Sequence, residues 1–370
     1  MKIEVQPKPA SAIAATPVVQ QTGFWSAVKQ QQGIAAKAYH LEVNLPDKKS
    51  SELYIDDVLV LYQQIARGYY LGYVPYGPKL NPGEEHQGRF LEMLSESLRP
   101  YVLNGCISMR YDLKWESPWA KDADFYDENN TWLGPPEKHH QELRINFNTN
   151  HWNLRKSNTN ILPTDTIFID LRKDEDTLLA NMKRKTRYNI RLSLKKGIKT
   201  RIADIGELGI WHQLYRETTK RNGIFLHDPD YFKAVLNARK TNTRSSAHVE
   251  MLIAEYHGKP LAAMFLVITG HRATYLYGAS SSENRNLMAP YALQWKALQR
   301  AKELGCTEYD MFGTAPNPNP THPLYGLYRF KKGFGGQMFH RMGCWDYPLQ
   351  QKKYNLYLAA EMNSQGYHLG

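Results

Sequence analysis

The sequence predicts a mixed α/β protein made of two tandem units of like design. Three observations predict it. At 370 residues the chain exceeds one typical domain and suits two. Two stretches repeat the order strand, strand, helix, strand. A polar, Asn-rich segment at 148–160 (NTNHWNLRKSNTN) separates them, and Pro163 precedes a new strand at 166–170.

The elements follow in order. Residues 9–19 (PASAIAATPVV) are mildly apolar, but Pro9 and Pro17 break the run. They are expected to form a loose N-terminal tail, not the apolar core of a secretion signal. In the first unit the apolar run 58–62 (VLVLY) leads through 68–78 (GYYLGYVPYGP) to a helical pattern at 85–99 and a strand at 107–111 (ISMRY). In the second, 250–255 (EMLIAE), 261–268 and 274–278 read as strands. A helix at 290–304 follows, closed by Gly305, then a strand at 308–312 (EYDMF). This gives domains at 1–160 and 161–345, with 346–370 a candidate completion of the first. Each is expected to bury its own core. In the tail, Leu349, Tyr354, Leu358 and Met362 fall at near-helical spacing and predict a helix packed back on the body. Loops 114–140 and 313–324 are each expected to overhang a site.

Composition narrows the function classes. Hydrophobic residues at 42% and charged residues at 22% suit a globular protein in water. No apolar run reaches the roughly 18 residues of a membrane span. The cysteines, Cys106, Cys306 and Cys344, match neither a disulfide framework nor a zinc spacing, so a reducing, cytoplasmic compartment is expected. None of the 13 histidines has a metal spacing, and His139 and His140 read as a loop pair. No metal and no Ser-His-Asp or Cys-His constellation is expected.

Residues 1–165 hold 17 Lys+Arg and 19 Asp+Glu, and residues 166–370 hold 30 and 17, so the whole basic excess lies in the second half. A one-sided positive field suits a polyanion. Part of it sits on a predicted helix that opens at Asp174 and ends at Gly197, with Leu178, Met182, Thr186, Ile190 and Leu194 on one stripe. Lys183, Arg184, Lys185, Arg187, Arg191, Lys195 and Lys196 fall on it with no acidic residue between. Like charges at i,i+4 cost about 0.2–0.5 kcal/mol per pair, which an anionic partner offsets.

The strand carrying Tyr275 and Tyr277 runs into a polar loop and then the 290–304 helix. This order resembles the acyl-transfer half of an N-acyltransferase (GNAT-like) fold. CoA-dependent members carry a Gln/Arg-x-x-Gly-x-Gly/Ala loop whose backbone N–H groups cradle the pyrophosphate. Here residues 280–290 (SSSENRNLMAP) contain no glycine, Glu283 repels phosphate, and Pro290 removes a donor. A different acyl donor is expected, and no cofactor.

Seven segments in this order resemble the Fem family, the aminoacyl-tRNA-dependent transferases that build peptidoglycan interpeptide bridges. They are 25–29 (WSAVK), 73–78 (YVPYGP), 166–171 (TIFIDL), 182–190 (MKRKTRYNI), 218–221 (TTKR), 277–281 (YGASS) and 330–335 (FKKGFG). The resemblance implies two tandem GNAT-like domains, without the coiled-coil arm of many members. It implies that Lys29, Thr219 and Arg221 hold the diphosphate of a UDP-muropeptide, with Tyr275 or Tyr277 as a further contact. The family's Tyr position four residues after the arginine is Phe225 here. Asp112 matches a position proposed to take the amine proton. Phe330 and Lys331 match the pair at the tRNA 3′-end, where the lysine stabilises negative charge. Lys183, Arg184, Lys185, Arg187 and Arg191 are the expected tRNA contacts.

The expected partners are therefore an aminoacyl-tRNA and a peptidoglycan precursor, UDP-MurNAc-pentapeptide or lipid II, acting on a monomer. Two other readings compete. One is an N-acyltransferase fed by acyl-CoA or acyl-carrier protein. The other is a tRNA-binding module without chemistry.

Overall fold

The computed structural model describes residues 1–45, 53–223 and 226–363. The first half runs β1 (Lys2–Lys8), α1 (Gly23–Gln31), β2 (Ala35–Asn44), β3 (Leu53–Ala66), β4 (Tyr69–Val74), α2 (Gln87–Leu98), β5 (Cys106–Glu116), α3 (Lys138–Asn146) and β6 (Arg155–Lys156). The second opens with β7 (Asp165–Asp170), α4 (Glu175–Asn181), α5 (Arg184–Lys195), β8 (Lys199–Ala203), α6 (Leu208–Asn222) and α7 (Pro229–Ala238). It continues with β9 (His248–Tyr256), β10 (Lys259–Thr269), β11 (Arg272–Ser280), α8 (Ala289–Glu303), β12 (Glu308–Asp310) and α9 (Tyr325–Lys332). The chain then passes through β13 (Gln337–Pro348) to α10 (Gln351–Asn363).

Among the described residues, thirteen strands form one sheet in the order β1-β2-β3-β4-β5-β13-β7-β12-β11-β10-β9-β8, with β6 beside β13. The two units repeat as strand, strand, helix, strand. β4 and β5 are parallel neighbours bridged by α2, as β11 and β12 are by α8. Parallel neighbours need such a crossover, and the two intervening apolar helices supply it.

β13 joins the halves. Its first four residues pair with β7, and the stretch from Arg341 onward pairs with β5. The register shifts between Arg341 and Gly343, and Gly343 takes φ +68°. A Cβ there would fall 2.4 Å from Asn160 Oδ1, so only glycine fits the crossing.

This continuity changes where the core lies. One cluster lies under α2 and another under α5 and α8, as separate cores require. A third draws Phe24, Trp25, Val28, Leu59 and Tyr73 from the first half and Trp211, Phe232, Val249 and Phe265 from the second. The halves share it because one sheet face near the seam is covered from both sides, α1 packing on α7. Each fully buried side chain of this kind is worth about 1.5–3 kcal/mol, so the seam is a major part of the fold.

Local expectations change at several points, and the segment 9–19 is not a loose tail: Ile13 and Val19 are buried in the shared core. The basic helix expected from 174 to 197 is two helices, because Met182 and Lys183 are extended. The break is held from outside: Lys183 N–H donates to the Gly333 carbonyl at 2.9 Å. The second helix buries Thr186, Asn189, Ile190 and Ser193, and Leu194 is 51% exposed, off the expected stripe. Phe330 and Lys331 lie in α9, which follows a loop too rich in Pro and Asn to announce it. His139 and His140 are in the first turn of α3, not a loop. The tail helix does pack back, but Tyr354 and Glu361 anchor it. Tyr354 bonds Asp346 and Glu361 pairs with buried Arg110 at 2.7 Å, whereas Met362 is exposed. No helix among the described residues is long and apolar enough to cross a membrane.

Candidate functional site

β11 and β12 pair over only three residues each, Arg272–Thr274 against Glu308–Asp310, and then part. Lys331 enters the wedge from α9. Its ammonium donates to the carbonyls of Gly313 at 2.7 Å and Phe312 at 3.1 Å, and lies 5.1 Å from the Tyr275 ring centre. Phe312 takes φ +56°, a strained conformation for a bulky residue. Burial pushes the Lys331 pKa down to about 7, with the charge of Asp310 acting against it. Phe330 is half-buried against Tyr291 and Phe334.

Tyr275 and Tyr277 do not share a face, although strand alternation predicts that they do. A register shift between Phe265 and Leu266 leaves Leu276 without a partner on β10. Tyr275 therefore packs beside Lys331, and its hydroxyl occupies the space where Gly278 would carry a Cβ, 1.8 Å away. Tyr277 turns to the other face, where its hydroxyl meets that of Tyr231 at 3.0 Å.

Tyr231 leads to Lys29. The Lys29 ammonium lies 4.9 Å from the Trp25 ring and 5.1 Å from the Tyr231 ring, and donates to Gln32 Oε1 at 3.0 Å. His227 stacks on Tyr231 at 4.2 Å. Burial lowers the His227 pKa, and Lys29 adds to it. Three residues beyond Tyr277 along β11, Arg221 grips the strand end. It donates to the Ser280 carbonyl at 3.0 Å, Ser280 Oγ at 3.1 Å and Ser282 Oγ at 3.2 Å. Burial, reinforced by Arg285, lowers its pKa. Lys29 from the first half and Arg221 from the second are thus linked through Tyr231, Tyr277 and Ser280.

Thr219 is buried and bonds the Arg216 carbonyl within its own helix. Its neighbour Thr218 does the work at the loop, accepting from Ser280 N–H at 2.9 Å. The i,i+3 spacing of Thr218 and Arg221 was the sequence signal for this. Tyr231 and His227 had no such signal. Phe225 lies outside the described residues.

Asp112 is fully buried in the middle of β5. Its Oδ2 accepts from Tyr73 Oη and from Leu162 N–H, both at 2.9 Å, and Oδ1 has no partner. Burial raises its pKa. It has no hydrogen bond to Lys331; Leu162, whose N–H donates to it, packs with Tyr76 and with Phe312, whose carbonyl accepts from Lys331.

Much of the loop from 280 to 288 is turned inward. Ser280, Ser281, Ser282, Glu283, Leu287 and Met288 all donate their N–H groups within the protein. Glu283 pairs with Lys259. Beside the wedge, Lys183, Arg184, Lys185 and Arg191 are exposed. Arg187 instead donates to the carbonyls of Met182 at 2.6 Å and Ala180 at 2.9 Å, closing the end of α4. Gly333 and Gly335 of the 330–335 segment press against Thr186 and Asn181, so the basic helix and Lys331 are packed side by side. Glu137, His139 and His140 hold ligand atoms within 4.8 Å of one another, all exposed and far in sequence from these residues.

A family model described as the FemAB family matches residues 17–242 and 235–362. The lipid II:glycine glycyltransferase of Staphylococcus epidermidis is 26% identical over 253 residues, covering 53% of this chain and 61% of that protein. That of Staphylococcus aureus is 25% identical over 258 residues, with 53% and 61% covered. The chain thus spans about three fifths of the length of these relatives. Among solved structures, FemX superposes with a TM-score of 0.72 at 19% identity, over 96% of this chain and 100% of that one. A tandem GNAT protein from the clavulanic acid biosynthesis pathway gives 0.51 at 11% identity, over 94% and 98%. These likenesses are of fold, and the fold is two GNAT-like units, as the sequence predicts.

Proposed function

Because the chain belongs to the FemAB family, we propose that it is an aminoacyltransferase, moving an amino acid from aminoacyl-tRNA to the stem-peptide amine of a peptidoglycan precursor. The observation that carries this reading is the Lys331 ammonium, seated where β11 and β12 part, with a basic helix on one side. The relatives named above are glycyltransferases acting on lipid II by name, which favours glycine as the residue moved and a lipid-linked acceptor.

The reaction is aminolysis. The precursor amine bonds to the ester carbonyl carbon, the bond to the ribose oxygen breaks, and the amine proton leaves to the ribose oxygen or water. The ester is already activated, so alignment supplies much of the rate, about 7–11 kcal/mol. Lys331 stabilises negative charge on the carbonyl and ribose oxygens, a role worth about 3–4 kcal/mol. Lys29 and Arg221 take the precursor diphosphate, with Tyr277 beside them. Phe330 and Tyr275 border the ester. Asp112, enclosed and bonded to Leu162 and Tyr73, fits a positioning role better than proton abstraction. A CoA donor is disfavoured because six of the loop N–H groups that could hold its pyrophosphate are engaged within the protein.

The test is purified protein with charged tRNA and, in parallel, UDP-MurNAc-pentapeptide and lipid II, read by product mass. A ribonuclease-sensitive mass gain of one aminoacyl residue is expected. Absence of product with either acceptor, or product with acyl-CoA in place of tRNA, overturns the reading.

A further inference from the structure

A second cavity, of about 370 Å³, opens at the seam between the halves. It is lined by Arg272 and Thr274 of β11 and by Glu308 and Asp310 of β12, the last of these at the point where the two strands part. Gln20 and Lys114 reach it from the first half, Arg272 from the second, and Arg341 from the shared strand β13.

Lys114, Arg272 and Arg341 line it against Glu116, Glu308 and Asp310, but the pairing is uneven. Arg272 pairs with Glu308, Arg341 with Asp310 at 3.5 Å, and Lys79 with Asp56 at 3.0 Å. Glu116, at the rim, is 3.8 Å from Lys121. Lys114 is left without a hydrogen-bond or ion-pair partner among the described residues. Burial lowers its pKa, and the nearby Arg272, Lys79 and Arg341 lower it further, outweighing Asp56. Gln20 is 3% exposed, and its Nε2 meets no acceptor. A buried donor without an acceptor is costly to the fold, and an unpaired ammonium more so. Both guanidinium groups are steadied by rings: Arg272 lies 4.7 Å from the Phe168 ring, and Arg341 4.5 Å from Tyr76. The cavity therefore presents two donors without partners, the Lys114 ammonium and Gln20 Nε2, to an acceptor that enters it.

We propose that this seam cavity binds a small oxyanion, a phosphate or carboxylate group, with Lys114 and Gln20 as its principal donors. Both principal donors come from the first half, and Arg272 of the second half and Arg341 of the shared strand border the same cavity. The site is separate from the diphosphate contacts proposed for Lys29 and Arg221.

The experiment is thermal unfolding of the full chain at fixed ionic strength, titrating inorganic phosphate or malonate against chloride. Phosphate raises Tm of most proteins a little by exclusion from the surface, so the comparison between variants decides. In the wild type a saturable rise in Tm is expected with at least one anion. Lys114→Met should weaken the apparent affinity tenfold or more, and Gln20→Leu should weaken it by a smaller factor. Should Lys114→Met fail to fold, Lys114→Gln replaces it. In an Arg221→Ala background Lys114→Met should still weaken the response, which separates this site from the proposed acceptor site. A response to phosphate alone or malonate alone identifies the headgroup. No saturable rise with either anion, or one equal in wild type and Lys114 variants, overturns the proposal.

Discussion

The ammonium of Lys331 donates to the main-chain oxygen of Gly313 at 2.7 Å, which holds a buried lysine against a glycine whose Cβ position is filled by Pro163. Lys331→Ala should lower kcat about a hundredfold or more with little change in precursor affinity. Normal turnover in steady-state assays would rule out the role.

The same lysine predicts two pH effects. With a pKa of about 7, the active ammonium is lost as pH rises through 7, so kcat should fall there and Lys331→Ala should lose that limb. Stability moves the other way. From pH 7 up to the ordinary lysine value of 10.5, the unfolded chain holds a proton that the folded chain has shed. Wild type should therefore gain on Lys331→Met by up to about 1.4 kcal/mol per pH unit in that window. Parallel urea midpoints across it would contradict the burial argument.

Arg221→Ala should raise KM for the precursor and release the strand end at Ser280. Arg221→Lys should not rescue it, because one ammonium cannot reproduce the separate contacts of a guanidinium fork. Calorimetry with UDP-MurNAc-pentapeptide reads this directly, and unchanged affinity in Arg221→Ala counts against a diphosphate role. Thr219→Val should have little effect on that affinity, whereas Thr218→Val should weaken it.

The basic residues should split into two classes. Replacing Lys183, Arg184 and Lys185 by Gln should lower the salt dependence of tRNA binding, by about two to three in the slope of log K against log salt. An unchanged slope would remove this helix from the interface. Arg187→Ala should instead cost about 1–3 kcal/mol of stability, since it uncaps α4 carbonyls, and should change the slope less. Filter binding and denaturant melts separate the two.

Asp112→Asn should keep kcat within a few-fold if the residue only positions Leu162 and Tyr73, and lose a hundredfold or more if it takes the amine proton. Burial raises the Asp112 pKa, so above the ordinary carboxylate range the folded state bears a penalty that asparagine lacks. The variant should therefore be no less stable than wild type at pH 7. A large loss of stability would mean the charge is compensated in the fold.

Much of the architecture was legible because it is local. Alternation, Gly and Pro punctuation and helix ends located the repeated units and the 290–304 helix, closed by Gly305 at φ +79°. In the loop without glycines, six N–H groups are spent on neighbours. What failed was non-local. The single helix expected from 174 to 197 splits at Lys183, whose N–H donates to the Gly333 carbonyl 150 residues away. The α9 helix forms behind a loop whose composition hides it.

By itself, then, the sequence determined the repeated strand–helix order, the one-sided charge and the residue types available for the chemistry, because these depend on neighbours along the chain. Tertiary structure alone decided which of those residues meet. A bulge at Leu276 assigned Tyr275 to Lys331 and Tyr277 to Tyr231, and a strand shared by both halves created a common core and a seam. Such contacts depend on register between distant strands, where a shift of one residue turns a side chain to the opposite face.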